Sequence, residues 1–161
     1  MSTKKHFITF VILSCICVMA YASSDMPSAS TQSTQSKQSD WNSAVRADIN
    51  AQRYDAAIQK LRQANETGSA DWNNLMGYTL RKKSSPDVEE SERFYEQALN
   101  IDPEHRGTLE YYGELLLLKN DLSGAEALLK RLDKACTFGC KEYSELKESI
   151  AKYKNKDKSD Y

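Results

Sequence analysis

Small side chains return at a fixed interval in this sequence, and large apolar ones return with them. Gly77 sits among apolar residues in NNLMGYTL, and Gly113 repeats it in TLEYYGELLLL. Ala64 and Ala98, Ser91 and Ala125, and Tyr95 and Leu129 stand in matching places about 34 residues apart. Between them the apolar residues follow helical spacing. Tyr54, Ala57, Ile58, Leu61 and Ala64 fall on one face of a helix, as do Phe94, Tyr95, Ala98, Leu99 and Ile101, and again Leu122, Ala125, Leu128, Leu129 and Leu132. Residues 41–50, 71–82 and 106–119 read as the interleaved helices, and no period-two strand pattern is present. The expectation is an all-α domain built from helix pairs.

The breaks carry helix start and stop chemistry. Ser85-Pro86 and Asp102-Pro103 each predict an N-cap followed by proline at the first helical position. Gly68-Ser69 and Lys119-Asn120-Asp121 read as short turns. Three units follow, over 38–69, 70–105 and 106–139. Trp41 stands near the start of the first, with Ala57 and Leu61 on its second helix. Gly77, Tyr95, Ala98 and Pro103 mark the second, and Gly113, Ala125 and Leu129 the third.

In these residues the chain resembles the tetratricopeptide repeat family over 38–139, and NNLMGYTL…YEQALNIDP carries most of the resemblance. Met76-Gly77 and Tyr112-Gly113 match the family's hydrophobic-glycine pair, and Leu80 and Leu116 sit where it often has Tyr. The second unit has two extra residues around Lys83-Ser84-Ser85, the first lacks two at its end, and Thr137 replaces the closing proline of the third. The resemblance implies a right-handed α-solenoid of about three helix pairs. Gly77 and Gly113 are then expected where the two helices of a pair cross closest. Glycine inside a helix costs about 1 kcal/mol relative to alanine, so close packing must exceed that. One pair cannot bury its apolar face alone, and stacking supplies the stability. KEYSELKESIAKY, 141–153, places Tyr143, Leu146, Ile150 and Tyr153 on one stripe and reads as an amphipathic helix capping the stack.

The flanks have a different composition. Lys4 and Lys5 precede an apolar run from Phe7 to Ala22, 16 residues and short for a membrane span of about 20. Ala20-Tyr21-Ala22 supplies a small-x-small cleavage pattern, so 1–22 reads as a signal peptide and the protein as exported, in a periplasm-like compartment. A lipid anchor at Cys15 and an uncleaved membrane anchor are the alternatives. Residues 23–39 hold 12 Ser, Thr or Gln in 17 positions and read as a flexible linker before a domain at 40–153. Residues 154–161 read as a charged tail. Losing the first 22 residues shifts the net charge from −1 to −3, which argues against nucleic acid or anionic lipid as the main partner. No stable membrane insertion is expected after cleavage.

Few residues are equipped for chemistry. Cys136 and Cys140 would remain after cleavage, an even number suited to an oxidising compartment. Their C-x3-C spacing matches neither the redox C-x-x-C motif nor haem attachment. A disulfide pinning the Phe138-Gly139 turn is the expectation, with exchanging thiols or a metal site as rival readings. His105, at a unit boundary, reads as a surface residue. Asp87, Glu89, Glu90 and Glu92 cluster where a helix begins, as the backbone dipole favours. No phosphate loop and no nucleophile–base pairing stands out, so neither an enzyme nor a cofactor is expected.

The resemblance implies that the first helices of successive units line a concave groove that takes a protein or peptide. The corresponding positions are Asn42 and Arg46, then Asn74, Tyr78 and Arg81, then Glu110, Tyr111 and Glu114. Asn can bond an extended backbone, Tyr offers a rigid face with a polar tip, and Arg forks onto carboxylates. Leu75, Gly107 and the glutamates do not fit the Lys/Asn/Arg set with which some members hold a C-terminal carboxylate. A non-catalytic scaffold or adaptor for another envelope protein or peptide is the resulting expectation. A thiol–disulfide protein working through Cys136 and Cys140, or an architectural subunit that self-associates, are the alternatives.

Overall fold

A computed structural model describes residues 31–159, with side chains described from 41 to 156. The expected signal peptide, the start of the linker and the last two residues of the tail lie outside the described residues. Seven helices follow in order: α1 Thr31–Asn50, α2 Tyr54–Ala64, α3 Ala70–Lys82, α4 Val88–Ile101, α5 Arg106–Leu118, α6 Leu122–Ala135 and α7 Lys141–Ser159. They pack as three antiparallel pairs, α1 with α2, α3 with α4 and α5 with α6, and each pair stacks on the next. The result is an all-α solenoid.

Side-chain caps explain where most helices begin. The Ser69 hydroxyl accepts from the Trp72 amide at 3.3 Å, and the Asp87 carboxylate from Glu90 at 3.1 Å. Asp121 does the same for Gly124 at 2.8 Å. The N-cap of α4 is therefore Asp87, not Ser85, and Pro86 precedes the helix rather than opening it. Asp102 likewise ends α4 and does not start α5. Pro103 lies in a turn closed by the His105 amide on the Asp102 carbonyl at 3.1 Å, where its fixed φ suits the second turn position. His105 is the cap of α5, its Nδ1 accepting from the Thr108 amide at 3.2 Å.

Both outer helices are longer than the sequence suggests. Thr31 to Asp40 contains neither proline nor glycine, and α1 runs back through it as helical backbone. At the other end α7 continues past 153, where Lys154 pairs with Glu126 of α6 and the Tyr153 hydroxyl bonds Asn120 at 3.2 Å.

The core has two clusters. Trp41, Val45, Ala57, Ile58, Leu61, Trp72, Leu75, Met76 and Leu80 fill the first two pairs. Leu109, Leu116, Leu117, Ala125, Leu128, Leu132, Cys136, Leu146 and Ile150 fill the third pair and the contact with α7. Tyr95 is fully buried, and its ring stacks on Tyr112 of α5 at 5.9 Å, joining the second pair to the third. The Trp72 indole donates to the Leu61 carbonyl at 2.7 Å and ties the second pair to the first.

The glycines show how close the packing is. A Cβ on Gly77 would lie 2.8 and 2.9 Å from the Tyr95 ring and 3.0 Å from the Ser91 carbonyl, so α3 and α4 do cross there. Ser91, in an alanine place of the repeat, donates its hydroxyl to the Gly77 carbonyl at 2.6 Å. Gly113 departs from expectation. The nearest atoms to a Cβ there belong to Leu146 of α7, at 2.6 and 2.7 Å, and not to its own pair partner α6. Helix α7 thus packs on α5 as a first helix of a further unit would, and so reaches the concave side.

Cys136 ends α6, and Cys140 precedes α7, with its sulfur accepting from the Tyr143 amide at 3.4 Å. The two sulfurs are 2.09 Å apart, in bonding contact. Gly139 between them has φ +82°, a left-handed conformation that suits glycine.

Candidate functional site

The first helix of each pair presents polar and aromatic side chains to the concave side, and α7 extends this wall. One cavity of about 700 Å³ is lined by Arg46, Asn74, Glu110 and Tyr111 together with Asp71, His105 and α7 residues. A second, of about 430 Å³, is lined by Tyr78, Glu110, Tyr111 and Glu114, again with α7 residues. Glu110, Tyr111, Lys141 and Glu145 belong to both. The two cavities therefore form one trough with a waist at Glu110.

Asp71 organises one end. Its Oδ1 takes the Arg46 guanidinium at 3.4 Å and faces His105 Nε2 at 3.3 Å, while Asn42 donates to its Oδ2 at 3.5 Å. Arg46 is held in turn by Asn42 Oδ1 at 2.6 Å. Because His105 Nδ1 accepts from the Thr108 amide, a neutral ring carries its proton on Nε2 and donates it to Asp71. That bond is the first cause holding the Asp71 carboxyl below its usual range. Helix α1, helix α3 and the N-cap of α5 are linked through this one carboxylate.

At the other end, Arg81 donates to Glu114 Oε2 at 2.7 Å, and Ser149 of α7 bonds Glu114 Oε1 at 3.4 Å. The Arg81 side chain is only 6% exposed. It lies beneath the wall, with its guanidinium 5.7 Å from the Tyr78 ring centre and 6.0 Å from that of Tyr111. Its charge is already matched by Glu114, so it braces the aromatics rather than reaching for a partner. Tyr54, Tyr78 and Tyr111 form a ladder across the units, with centroids 6.5 and then 4.7 Å apart. Burial pushes the hydroxyls of Tyr78 and Tyr111 above their ordinary range.

The waist is acidic. Glu110 is 5% exposed, and burial first, then the Glu145 carboxylate, pushes its carboxyl up to about 8. Glu114 and Glu142 add to the repulsion. Beside it Asn74 is 3% exposed, its amide nitrogen lying against Gly107 and its Oδ1 without a hydrogen-bond partner.

Of the eight sequence-expected positions, Arg46, Asn74, Tyr78, Glu110, Tyr111 and Glu114 line the trough. Asn42 orients Arg46 from behind, and Arg81 supports from below. Asp71, His105, Glu142 and Glu145 were not expected. Glu142 and Glu145 are about one turn apart on the polar face of α7, a pattern present in the sequence whose direction is fixed only by how α7 lies on α5. Among the described residues, no group of three or more His, Cys, Asp or Glu is arranged to hold a metal ion.

This is the tetratricopeptide-repeat-like fold, with a groove on its concave side. Solved structures share it at low identity. The Yersinia enterocolitica type III secretion translocator chaperone SycD superposes with a TM-score of 0.62 at 14% identity, covering 74% of this chain and 85% of that one. The TPR domain of Sgt2 from Aspergillus fumigatus gives 0.62 at 17% identity over 74% and 78%. SycD solved with a peptide of the translocator YopD gives 0.60 at 14% identity over 76% and 95%. No family model matches the sequence, and no curated protein matches it.

Proposed function

We propose that the protein is a non-catalytic adaptor that holds an extended segment of another protein in the trough formed by α1, α3, α5 and α7. The observation that carries this reading is the continuity of the wall: Arg46, Asn74, Tyr78, Glu110, Tyr111 and Glu114 come from the first helices of three successive pairs onto one concave side. Polar groups for a peptide backbone alternate there with rigid aromatic faces, a composition suited to protein recognition. The solenoid solved with a translocator peptide supports a peptide as the kind of ligand. The first 22 residues support export, which puts the partner among envelope proteins. Cys136 is packed in the C-terminal core cluster, a place that favours a structural bridge over exchange chemistry.

Photo-crosslinking tests the reading. A crosslinking residue at Tyr78 should capture a discrete partner from envelope extract, and the same residue at exposed Lys130 on α6 should not. Arg46→Glu with Tyr111→Ala should abolish the capture. Equal yields at both positions would remove the groove as the binding surface.

A further inference from the structure

We infer that the Cys136–Cys140 bridge is a redox latch on the trough. Oxidised, it sets the first turn of α7 as a wall of the groove; reduction by a dithiol releases that turn and weakens binding there. The inference rests on the groove reading above and adds its regulation. Ala135, just before the bridge, and Lys141, Glu142 and Glu145, just after it, all line the larger cavity. This side of the wall is thus built on the two residues that the bridge joins, the C-cap of α6 and the residue before α7.

The α6–α7 turn is anchored through its cysteines. Thr137, Phe138 and Gly139 are exposed, Phe138 completely, so the segment between the two sulfurs adds no packing. Cys136 is packed in the C-terminal core cluster, and Cys140 lies against it. Helices α3 to α6 begin on oxygen or nitrogen acceptors of Ser69, Asp87, His105 and Asp121. In α7 the Tyr143 amide goes instead to the Cys140 sulfur, a weak acceptor whose position the bridge fixes. Farther along, α7 has anchors of its own in buried Leu146 and Ile150 and in the Tyr153 bond to Asn120. Opening the bridge therefore frees the first turn, 141–145, and leaves the rest of α7 in place.

Cys140 is half-buried and Cys136 almost fully buried, so the thiolate of an incoming dithiol attacks the Cys140 sulfur. The S–S bond breaks, and Cys136 leaves with the electron pair and takes up a proton. The second thiol of the reductant then gives up its proton and displaces Cys140, which is protonated in turn. The reductant closes its own disulfide, and two electrons have passed to the protein pair. Binding and oxidation are linked: a peptide that needs the α7 wall favours the bridged state by the same factor that the bridge favours the peptide.

The full chain carrying Cys15→Ser and Cys17→Ser, so that a single pair reports, tests the latch with a crosslinking residue at Tyr78. It is compared oxidised, reduced with dithiothreitol, and as the further double variant Cys136→Ser, Cys140→Ser. Amide hydrogen exchange over 143–146 should be at least tenfold faster in both open forms, with α3 and α4 unchanged. Capture of the partner from envelope extract should fall at least threefold in the double variant, and dithiothreitol should add no further loss to that variant. Equal exchange over 143–146 in all three forms would overturn the latch. So would faster exchange throughout, which would make the bridge a support of the whole fold. Faster exchange at 143–146 with equal capture would overturn the control of binding and leave the groove standing. No capture by any form would overturn the groove reading and the control of binding with it, while the exchange rates still decide whether the bridge holds α7.

Discussion

Gly77 and Gly113 occupy matching places in successive helix pairs, yet different neighbours exclude a side chain at each. At Gly77 the obstacles are a fully buried aromatic ring and a backbone carbonyl, both on the helix paired with α3. At Gly113 they are the branched end of one leucine on α7. The same repeat position thus serves a fixed contact within a pair and an adaptable contact between units. The second places α7 against α5, and with it the acidic wall of the groove.

The largest effect that separates the two contacts is expected at Leu146. It is fully buried and is the group that Gly113 admits. Leu146→Ala should lower stability by about 2–5 kcal/mol in chemical denaturation, the range for emptying a core leucine site. It should also loosen the α7 wall, seen as faster hydrogen exchange over 141–153 than over α3 and α4. Unchanged protection of α7 would mean that Leu146 does not fix that helix.

Gly77→Ala comes next. The new methyl gains about 1 kcal/mol of helix propensity but meets a ring and a carbonyl that cannot swing away. Overpacking of this kind costs about 1–3 kcal/mol, so a net loss of roughly 1–2 kcal/mol is expected. The Ser91 hydroxyl bond to the Gly77 carbonyl should weaken with it. Stabilisation by this substitution would show that the crossing is looser than the contact distances say.

Both glycines are legible as a repeat in the sequence, because helix spacing and a period near 34 are properties of single residues in order. Which helix each glycine meets is not, since that depends on how α7 lies across α5. The polar stripe of α7 shows the limit. Glu142 and Glu145 look like any solvated face until α7 is placed on the concave side, where they confront Glu110. The caps behave similarly. Ser85-Pro86 and Asp87 both carry start signals, and the competition was decided by Asp87, whose carboxylate reaches the Glu90 amide. From sequence His105 reads as a surface residue, but at the α5 N-terminus its ring caps the helix and bonds Asp71, a tertiary relation no local pattern encodes.

The position of α7 also has a pH signature. Glu110 has a folded value of about 8 against an ordinary value of 4.5. Its stabilising contribution is fully present below 4.5 and is lost as pH rises through 8. Stability should therefore fall between pH 5 and pH 8, on the order of 1–2 kcal/mol after allowance for relaxation of the acidic neighbours. Asp48, held low chiefly by its bonds to Lys60 and Arg53, loses its contribution only at more acidic pH, so that window stays clear of it. Glu110→Gln should flatten the slope and raise stability at pH 8. A flat profile in the unaltered protein would place Glu142 and Glu145 farther from Glu110 than the α7 packing requires.

The smallest effect is expected at Gly113→Ala, and it is the sharpest test of the contrast. The three atoms nearest the added methyl are all Leu146 side-chain carbons, at 2.6, 2.7 and 3.2 Å, the far end of one flexible side chain that can turn aside where a ring or a carbonyl cannot. The gain in helix propensity, about 1 kcal/mol, then offsets the crowding, and the net change should stay within about 1 kcal/mol. Combined with Leu146→Ala, the methyl occupies part of the space the leucine leaves. The double variant should be more stable than the sum of the single effects predicts, by roughly 0.5–1 kcal/mol. Strict additivity would mean that Gly113 and Leu146 do not share that space, and α7 would return to the role of a cap lying off the groove.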